Sequence, residues 1–546
     1  STTATLTTGD GEVKANFAVT TYQLTVNAST GGTITAPLSS PVTVNYGVPE
    51  TITASASVGY HFVNWTNPVG TAVIANANIL STTATLSVDN ATVQANFEAD
   101  IYVWTGVTDN SWATATNWNP NRTSPAVTDV LAFNAGGSVT VTGVPTQTIR
   151  QLLLSNNTAV ELRPGGIVRL TLNGGAGTDL SVPAGSALNV YSPTASDSLI
   201  ISLATGTTGV IGGSMTFSGA VIKGNKLIAA DASAITFQNG STFTAGANFF
   251  GNAFSVSSSV GTAGSVIFQS GSTYIQSGGS NPFGPSGASA ITVFQTGSLY
   301  KFTISTGGLP SYSGRTYSNI EIDAPGAVMS STGASALTFD NFTMTNGTQN
   351  LNLTGTINAK GNISVASGAT LTFTPASSSS VIFNGTSAQS VGGTGTFTFA
   401  TGASVTVNNA NGLTINRDVT IPGTLNLTSG VITTGSNILS ANGTVNRTSG
   451  HVFGKFQKSV AISATTKAFE VGDATNYTPI ALSFTGVSVG GNLLASTTVG
   501  LHPQIATSGI NNAKILNRYY TLTNSGITLT SYDATFTFVS GDVLGG

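Results

Sequence analysis

The chain has no cysteine. That excludes a disulfide-stapled scaffold and any redox or zinc site built on thiolates, but it does not fix a compartment. Charge is scarce as well. Asp, Glu, Lys and Arg make up 7% of the 546 residues, against about 25% in typical soluble proteins. The formal net charge is −3 and no basic run occurs, so the electrostatic footprint of a nucleic-acid binder is missing. No stretch reaches the length of apolar residues that a membrane-spanning helix needs. No secretory leader is visible; Ser1 falls inside a repeat, so any leader is expected to lie upstream or to have been removed.

Catalytic signatures are equally sparse. The three histidines, His61, His451 and His502, stand in unrelated contexts with no HxH or HExxH spacing. There is no G-x-S-x-G, phosphate-binding loop or zinc pattern, and no cofactor is expected. A calcium loop needs several Asp at fixed offsets. Gly9-Asp10-Gly11-Glu12 comes nearest and reads more simply as a hairpin turn.

Glycine, with 65 residues, and the β-favouring residues threonine, valine and isoleucine are abundant. Helix propensity is poor, and β-branched residues suit a pleated, half-buried surface. The expected fold class is all-β. With few charges, Ser, Thr and Asn must supply the wet surface.

The chain also repeats itself. Residues 1–17 and 81–97 share ten of seventeen identities at an offset of 80. Fixed-period self-similarity marks a modular array. Residues 18–99 then form one full unit, and 1–17 read as the tail of a preceding one. Within the unit, YQLTV near the start, GGTI at 31–34, GYHFVNW at 59–65 and TVQANF at 92–97 resemble the divergent internalin B-type repeat of bacterial surface proteins. That resemblance implies a small β-rich module used as a spacer or binding unit.

Residues 100–126 change character and carry Trp104, Trp112 and Trp118; with Trp65 these are all four tryptophans. The WTG…W…NW pattern is similar to the lead-in of β-helical surface proteins of the Bacteroidetes type. Large aromatics there are suited to cover the open first coil of a solenoid. From 127 to 450, short β runs alternate with Gly, Asn and Ser turns. Examples are 367–373 (SGATLTF) and 401–407 (TGASVTV). Turns recur roughly every 20–30 residues, inside the solenoid range. A right-handed parallel β-helix of roughly fifteen coils, about 4.8 Å apart, is expected. Residues 451–546 are richer in charge and read as a separate β-sandwich-like module, truncated at Gly545-Gly546.

Few residues qualify as a site. Many β-helix proteins cleave polysaccharides with carboxylates and cations on neighbouring coils. Lys301, Arg315, Glu321 and Asp323 form the one such concentration in the solenoid. Glu321 and Asp323 are two apart and so share a strand face. The bland reading is a solvated charged face, which also applies to Lys223/Lys226 and Lys455/Lys458. Tyr300, Tyr312 and Tyr317, with Phe302, are candidates for a glycan-binding surface, because a phenol tolerates water. Phe249, Phe250 and Phe254 form another aromatic group, and for the phenylalanines inward stacking in the solenoid core is the expectation. Asp197-Ser198-Leu199 resembles the short O-glycosylation motif of Bacteroidetes, with Ser198 as acceptor. Thr-x-Thr pairs at 140/142, 370/372 and 396/398 suggest ice or crystal-surface binding. Their unequal spacing speaks against a flat array.

The expected function is part of a large extracellular bacterial surface protein, a structural stalk or adhesin. The family resemblance implies export, with the type IX secretion machinery as the expected route. Surface glycans or other cell-surface proteins are the expected partners, with no nucleic acid and no membrane span. A polysaccharide-active β-helix enzyme is the alternative, and crystal-surface binding the second alternative.

Overall fold

A computed structural model describes residues 2–57, 60–123, 125–174, 177–219, 224–256, 260–285, 287–374, 380–511 and 513–544. Gly59, Lys223 and Gly545-Gly546 lie outside them. The protein is nearly all-β, with 53% of residues in strands and a β-solenoid of about 13 turns. It divides into two compact units. The first is Ser1–Asp109, Thr114–Ala132 and Thr148–Leu153; the second is Asn110–Ala113, Phe133–Gln147 and Leu154–Gly546.

The first unit contains the repeat module. One sheet orders Val42–Asn45, Thr21–Ala28, Ala91–Ala99 and Tyr60–Val69; the other orders Gly32–Ala36, Pro49–Ala56, Ser81–Leu86 and Ala72–Ile74. Alternation decides which side chains turn inward. Leu24, Val26, Ile52, Leu86, Val93 and Trp65 form its core, and Trp65 Nε1 donates to the Ile79 carbonyl at 3.0 Å. The closing strand Ala91–Ala99 lies parallel to the opening strand Thr21–Ala28.

The duplicated segment behaves differently in its two places. Residues 2–20 form no strand, so the turn expected at Gly9–Glu12 joins no hairpin. Val13 and Phe17 are 74% and 93% exposed, while their counterparts Val93 and Phe97 are 0% and 8% exposed. The same side chains are buried only where Thr21–Ala28 and Tyr60–Val69 supply partner strands.

The tryptophan-rich stretch is shared between the units. In the first, Trp104 and Trp118 meet edge to face at 4.9 Å. The Arg122 guanidinium lies 5.6 Å over the Trp118 ring and pairs with buried Asp129 at 2.6 Å. Trp112 alone belongs to the solenoid unit. Its backbone N–H donates to the Thr142 carbonyl at 2.9 Å, and its Nε1 donates to Gln147 Oε1 at 3.1 Å.

In the second unit, parallel strands stack coil upon coil. One lane runs Leu180–Val182, Gly209–Ile211, Ile235–Phe237, Val266–Phe268 and Thr292–Phe294. A longer lane includes Thr242–Ala245, Thr273–Gln276, Leu299–Phe302, Asn319–Gly333 and Asn341–Leu353. Coil length varies while register holds. Thr242 pairs with Thr273, 31 residues on (273 − 242), and Leu299 pairs with Asn319, 20 residues on (319 − 299).

Two aromatic ladders face each other inside. Phe237, Phe268 and Phe294 stack at 4.4 and 5.1 Å. Phe243, Tyr274 and Tyr300 stack at 5.4 and 5.9 Å. Across the core, Phe268 and Tyr274 meet edge to face at 5.8 Å. Stacked within a ladder and edge-on between ladders is the arrangement that ring quadrupoles favour.

The C-terminal region continues the long sheet without a break. His451–Val460 pairs parallel with Val431–Ala441, then antiparallel with Gly491–Val499, which in turn pairs with Arg518–Ser525. A second sheet of Thr466–Phe469, Ile480–Thr485 and Ser531–Phe536 completes a sandwich-like arrangement. This part belongs to the same compact unit as the solenoid.

Candidate functional site

The solenoid's charge cluster assembles only in part. Lys301 on Leu299–Phe302 pairs in register with Glu321 on the next coil. Its Nζ lies 3.0 Å from Glu321 Oε1 and 3.0 Å from Asp323 Oδ2. Thr345 Oγ1 donates to Glu321 Oε1 at 3.0 Å, and Asn346 Nδ2 donates to Asp323 Oδ1 at 2.8 Å. These bonds from Asn346 and Lys301 hold the Asp323 carboxyl below its usual range. Burial works against the charge on Lys301, but its bonds to both carboxylates outweigh it and raise its pKa. Asp323 is thus kept ionised. It can act as a base or an electrostatic partner, whereas a general acid at neutral pH needs a raised pKa.

Arg315 does not join them. It is 7% exposed and lies 4.8 Å over the Phe283 ring. Its Nη2 donates to the Gly284 carbonyl at 2.9 Å and its Nη1 to the Pro285 carbonyl. Burial lowers its pKa. Its role is to close backbone carbonyls inside a coil, so the four-residue cluster reduces to Lys301, Glu321 and Asp323.

The three tyrosines are core residues, a correction to their expected exposure. Tyr300, Tyr312 and Tyr317 are 0%, 2% and 2% exposed. Tyr300 donates its hydroxyl to Gln276 Oε1 at 2.7 Å, and Tyr317 donates to the Ser311 carbonyl. Burial pushes all three phenols far above the ordinary range. A buried phenol is tolerated when it finds an acceptor, and nothing in the sequence announces those of Tyr300 and Tyr317; the Tyr312 hydroxyl is buried without one among the described residues. Phe302, Phe249 and Phe254 are buried too, while Phe250 is 60% exposed.

Ser198 is also placed against expectation. It is 3% exposed and opens the strand Ser198–Leu203, its N–H donating to the Gly166 carbonyl at 2.9 Å. Asp197 Oδ2 accepts from the Thr194 hydroxyl at 2.6 Å. The tripeptide is a turn feeding a strand, closed to a sugar in the folded chain.

Of the lysines assigned to solvated faces, Lys226 is half-buried and Lys458 is buried. Lys226 Nζ donates to the Ser255 carbonyl at 2.6 Å, and burial lowers its pKa. Lys458 is 6% exposed and pairs with Glu470 at 2.5 Å. Burial lowers its pKa too, against the pull of Glu470.

The histidines stay apart. His61 contacts Asp100, His451 Nε2 meets the Asp473 carbonyl, and His502 packs on Tyr519. Among the described residues no group of His, Asp and Glu is arranged to hold a metal, and no helix is long and apolar enough to cross a membrane.

Threonines align where their spacing suggests disorder. Thr348, Thr370 and Thr396 form one rank across three rungs; Asn350, Thr372 and Thr398 form the next. The offsets are 22 (370 − 348) and 26 (396 − 370). Unequal coil lengths are absorbed in the loops, so the objection from spacing falls. Thr398 Oγ1 donates to Thr372 Oγ1 at 3.0 Å. The resulting grid repeats about every 4.8 Å between rungs and roughly 6.8 Å along each strand. Thr140 and Thr142 are outside it, paired with Glu161 and Arg163.

Sequence reasoning missed a buried ion network near the C-terminus. Arg518 is 5% exposed. Its Nη2 lies 2.6 Å from Asp473 Oδ2 and its Nε 2.6 Å from Asp542 Oδ2. The three residues are 45 and 24 apart in sequence (518 − 473 and 542 − 518), so no local pattern carries the signal.

Residues 22–101 match the family described as Divergent InlB B-repeat domain. No curated protein and no solved structure matches the chain. The repeat domain together with the solenoid fits a surface-repeat protein.

Proposed function

We propose that this chain is part of a large extracellular bacterial surface protein of the Bacteroidetes type, exported by type IX secretion and acting as a stalk or adhesin. The observation that carries the reading is the union in one chain of an InlB-type repeat with a solenoid of about 13 turns. The mechanism is mechanical. Parallel backbone ladders run from coil to coil, and stacked aromatics fill the interior. Each coil leans on its neighbours, so the solenoid resists bending and holds other modules at a distance.

Fractionation of native cells, with protease shaving of intact cells, tests this. The protein is expected in the surface or secreted fraction and digested from outside. Recovery in the cytoplasm overturns the reading.

A second reading, binding to an ordered surface such as ice, is favoured by the threonine grid. Purified protein is expected to slow ice recrystallisation, and Thr372→Tyr is expected to abolish the effect. An equal effect from the variant, or none from either protein, removes this reading.

A further inference from the structure

An open groove of about 680 Å³ lies where the long sheet changes from parallel to antiparallel pairing. Its origin is topological. His451–Val460 pairs with Val471–Gly472 at Val452 and Phe453, then with Gly491–Val499 from Phe456 onward. Gly454 and Lys455 fall between those two neighbours. On the other side, pairing with Val431–Ala441 is interrupted between Thr433 and Ile438. Neighbouring strands that diverge leave a crevice, the feature that places ligands at switch points in other sheets. Gly454 sits at φ +118, and a Cβ there would lie 2.2 Å from Thr434 Oγ1. A larger residue at this position would disturb the trough.

The walls are chemically distinct. Phe453 offers a half-buried ring, and Ser496 and Thr498 line the antiparallel side. The opposite wall is the turn 473–476, which is held rigid from within. Asp473 Oδ1 accepts the backbone N–H of Thr475 and of Asn476, each at 2.8 Å. Asp473 Oδ2 is taken by Arg518 at 2.6 Å. Both oxygens of the carboxylate that reaches the groove are therefore engaged within the protein. Lys455 is different. It is exposed, its Nζ donates to the Ser436 carbonyl at 3.0 Å, and it makes no ion pair among the described residues.

We propose that this groove binds a glycan through an acidic sugar residue. The Phe453 ring packs against the apolar face of the sugar. The Lys455 ammonium, a compact point charge, meets the carboxylate or sulfate. The hydroxyls of Ser496 and Thr498, and the turn at Asn476, meet the ring hydroxyls. An apolar platform with a few converging polar groups is the usual makeup of a small-ligand site. The ion network behind the turn fixes one wall before the ligand arrives, which lowers the ordering cost.

This names a ligand class for the adhesive half of the reading above and rests on that reading for its biological purpose. Binding is measured on purified protein, so a failure here leaves the surface location standing.

The test is calorimetric titration of the full chain with oligogalacturonate, chondroitin sulfate, sialyllactose and a neutral cello-oligosaccharide. At least one acidic probe is expected to bind, with affinity falling as salt rises. Lys455→Gln and Phe453→Ala are each expected to weaken it at least tenfold, with unchanged melting. Lys360→Gln, at an exposed lysine of the solenoid, is expected to have no effect. The proposal is overturned by absence of binding to all three acidic probes. Equal binding of the neutral probe, or binding that survives Lys455→Gln, also overturns it.

Discussion

Arg518→Met is expected to destabilise the C-terminal sandwich by about 3–5 kcal/mol, the range for removing one partner of a buried ion pair. Arg518 is 5% exposed and joins Asp473 and Asp542, two carboxylates at 8% and 4% exposure. Without it, two charges stay buried beside each other. Hydrogen exchange at Gly491–Val499 and Arg518–Ser525 is the right readout, because all four tryptophans lie at or before position 118 and their fluorescence is blind to this region. Adding Asp542→Asn to Arg518→Met is expected to restore part of the loss. A difference below about 1 kcal/mol would mean that the network is hydrated, as surface pairs are.

The pH dependence follows from the same bonds. Burial pushes both carboxyls upward, but hydrogen bonds outweigh it. The backbone of Thr475 and the Arg518 guanidinium hold Asp473 far below its usual range, and Arg518 lowers Asp542. Groups with depressed folded values stabilise the fold above the unfolded pKa of about 4 and lose that stabilisation as pH falls. Wild-type protection is therefore expected to drop below about pH 4. Protonation also relieves the variant's unpaired carboxylates, so the gap between the two proteins should narrow there.

Phe268→Ala should cost the solenoid about 3–5 kcal/mol, as large-to-small changes at packed aromatics do. Phe268 is 0% exposed. It stacks on Phe237 and Phe294 and meets Tyr274 and Phe254 edge-on, so one deletion opens contacts to four rings. Phe268→Leu keeps most of the volume and should cost less than half as much. Because coils contact mainly their neighbours, lost exchange protection should centre on Ile235–Phe237 and Thr292–Phe294. The repeat module's strands should keep theirs. Uniform loss across both units would contradict nearest-neighbour coupling.

Much of the fold was legible because period-2 alternation is written into short segments. Leu24 and Val26, or Leu371 and Phe373, turn inward as their spacing requires. The repeat was legible because 81–97 copies 1–17. The candidate site was less so. The pairing of Lys301 with Glu321 and Asp323 followed from proximity in sequence, but Arg315 turned away to carbonyls of an earlier segment. Tyr300 and Tyr317 looked like surface residues until Gln276 and the Ser311 carbonyl appeared as acceptors inside the core.

By itself, then, the sequence determined the class. A chain without cysteine, poor in charge and rich in β-branched residues and turn glycines can satisfy its backbone only by pairing strands. It also determined which residues alternate inward and where the repeat lies. The tertiary structure decided register and partnership. Coils of 20 to 31 residues align rung by rung because loops absorb the difference, and that alone lines up the threonines. The same stacking brought Arg518 to Asp473 and Asp542 and set Lys455 beside Phe453 in one groove. Such contacts depend on which strands become neighbours, and single-residue chemistry carries no record of that.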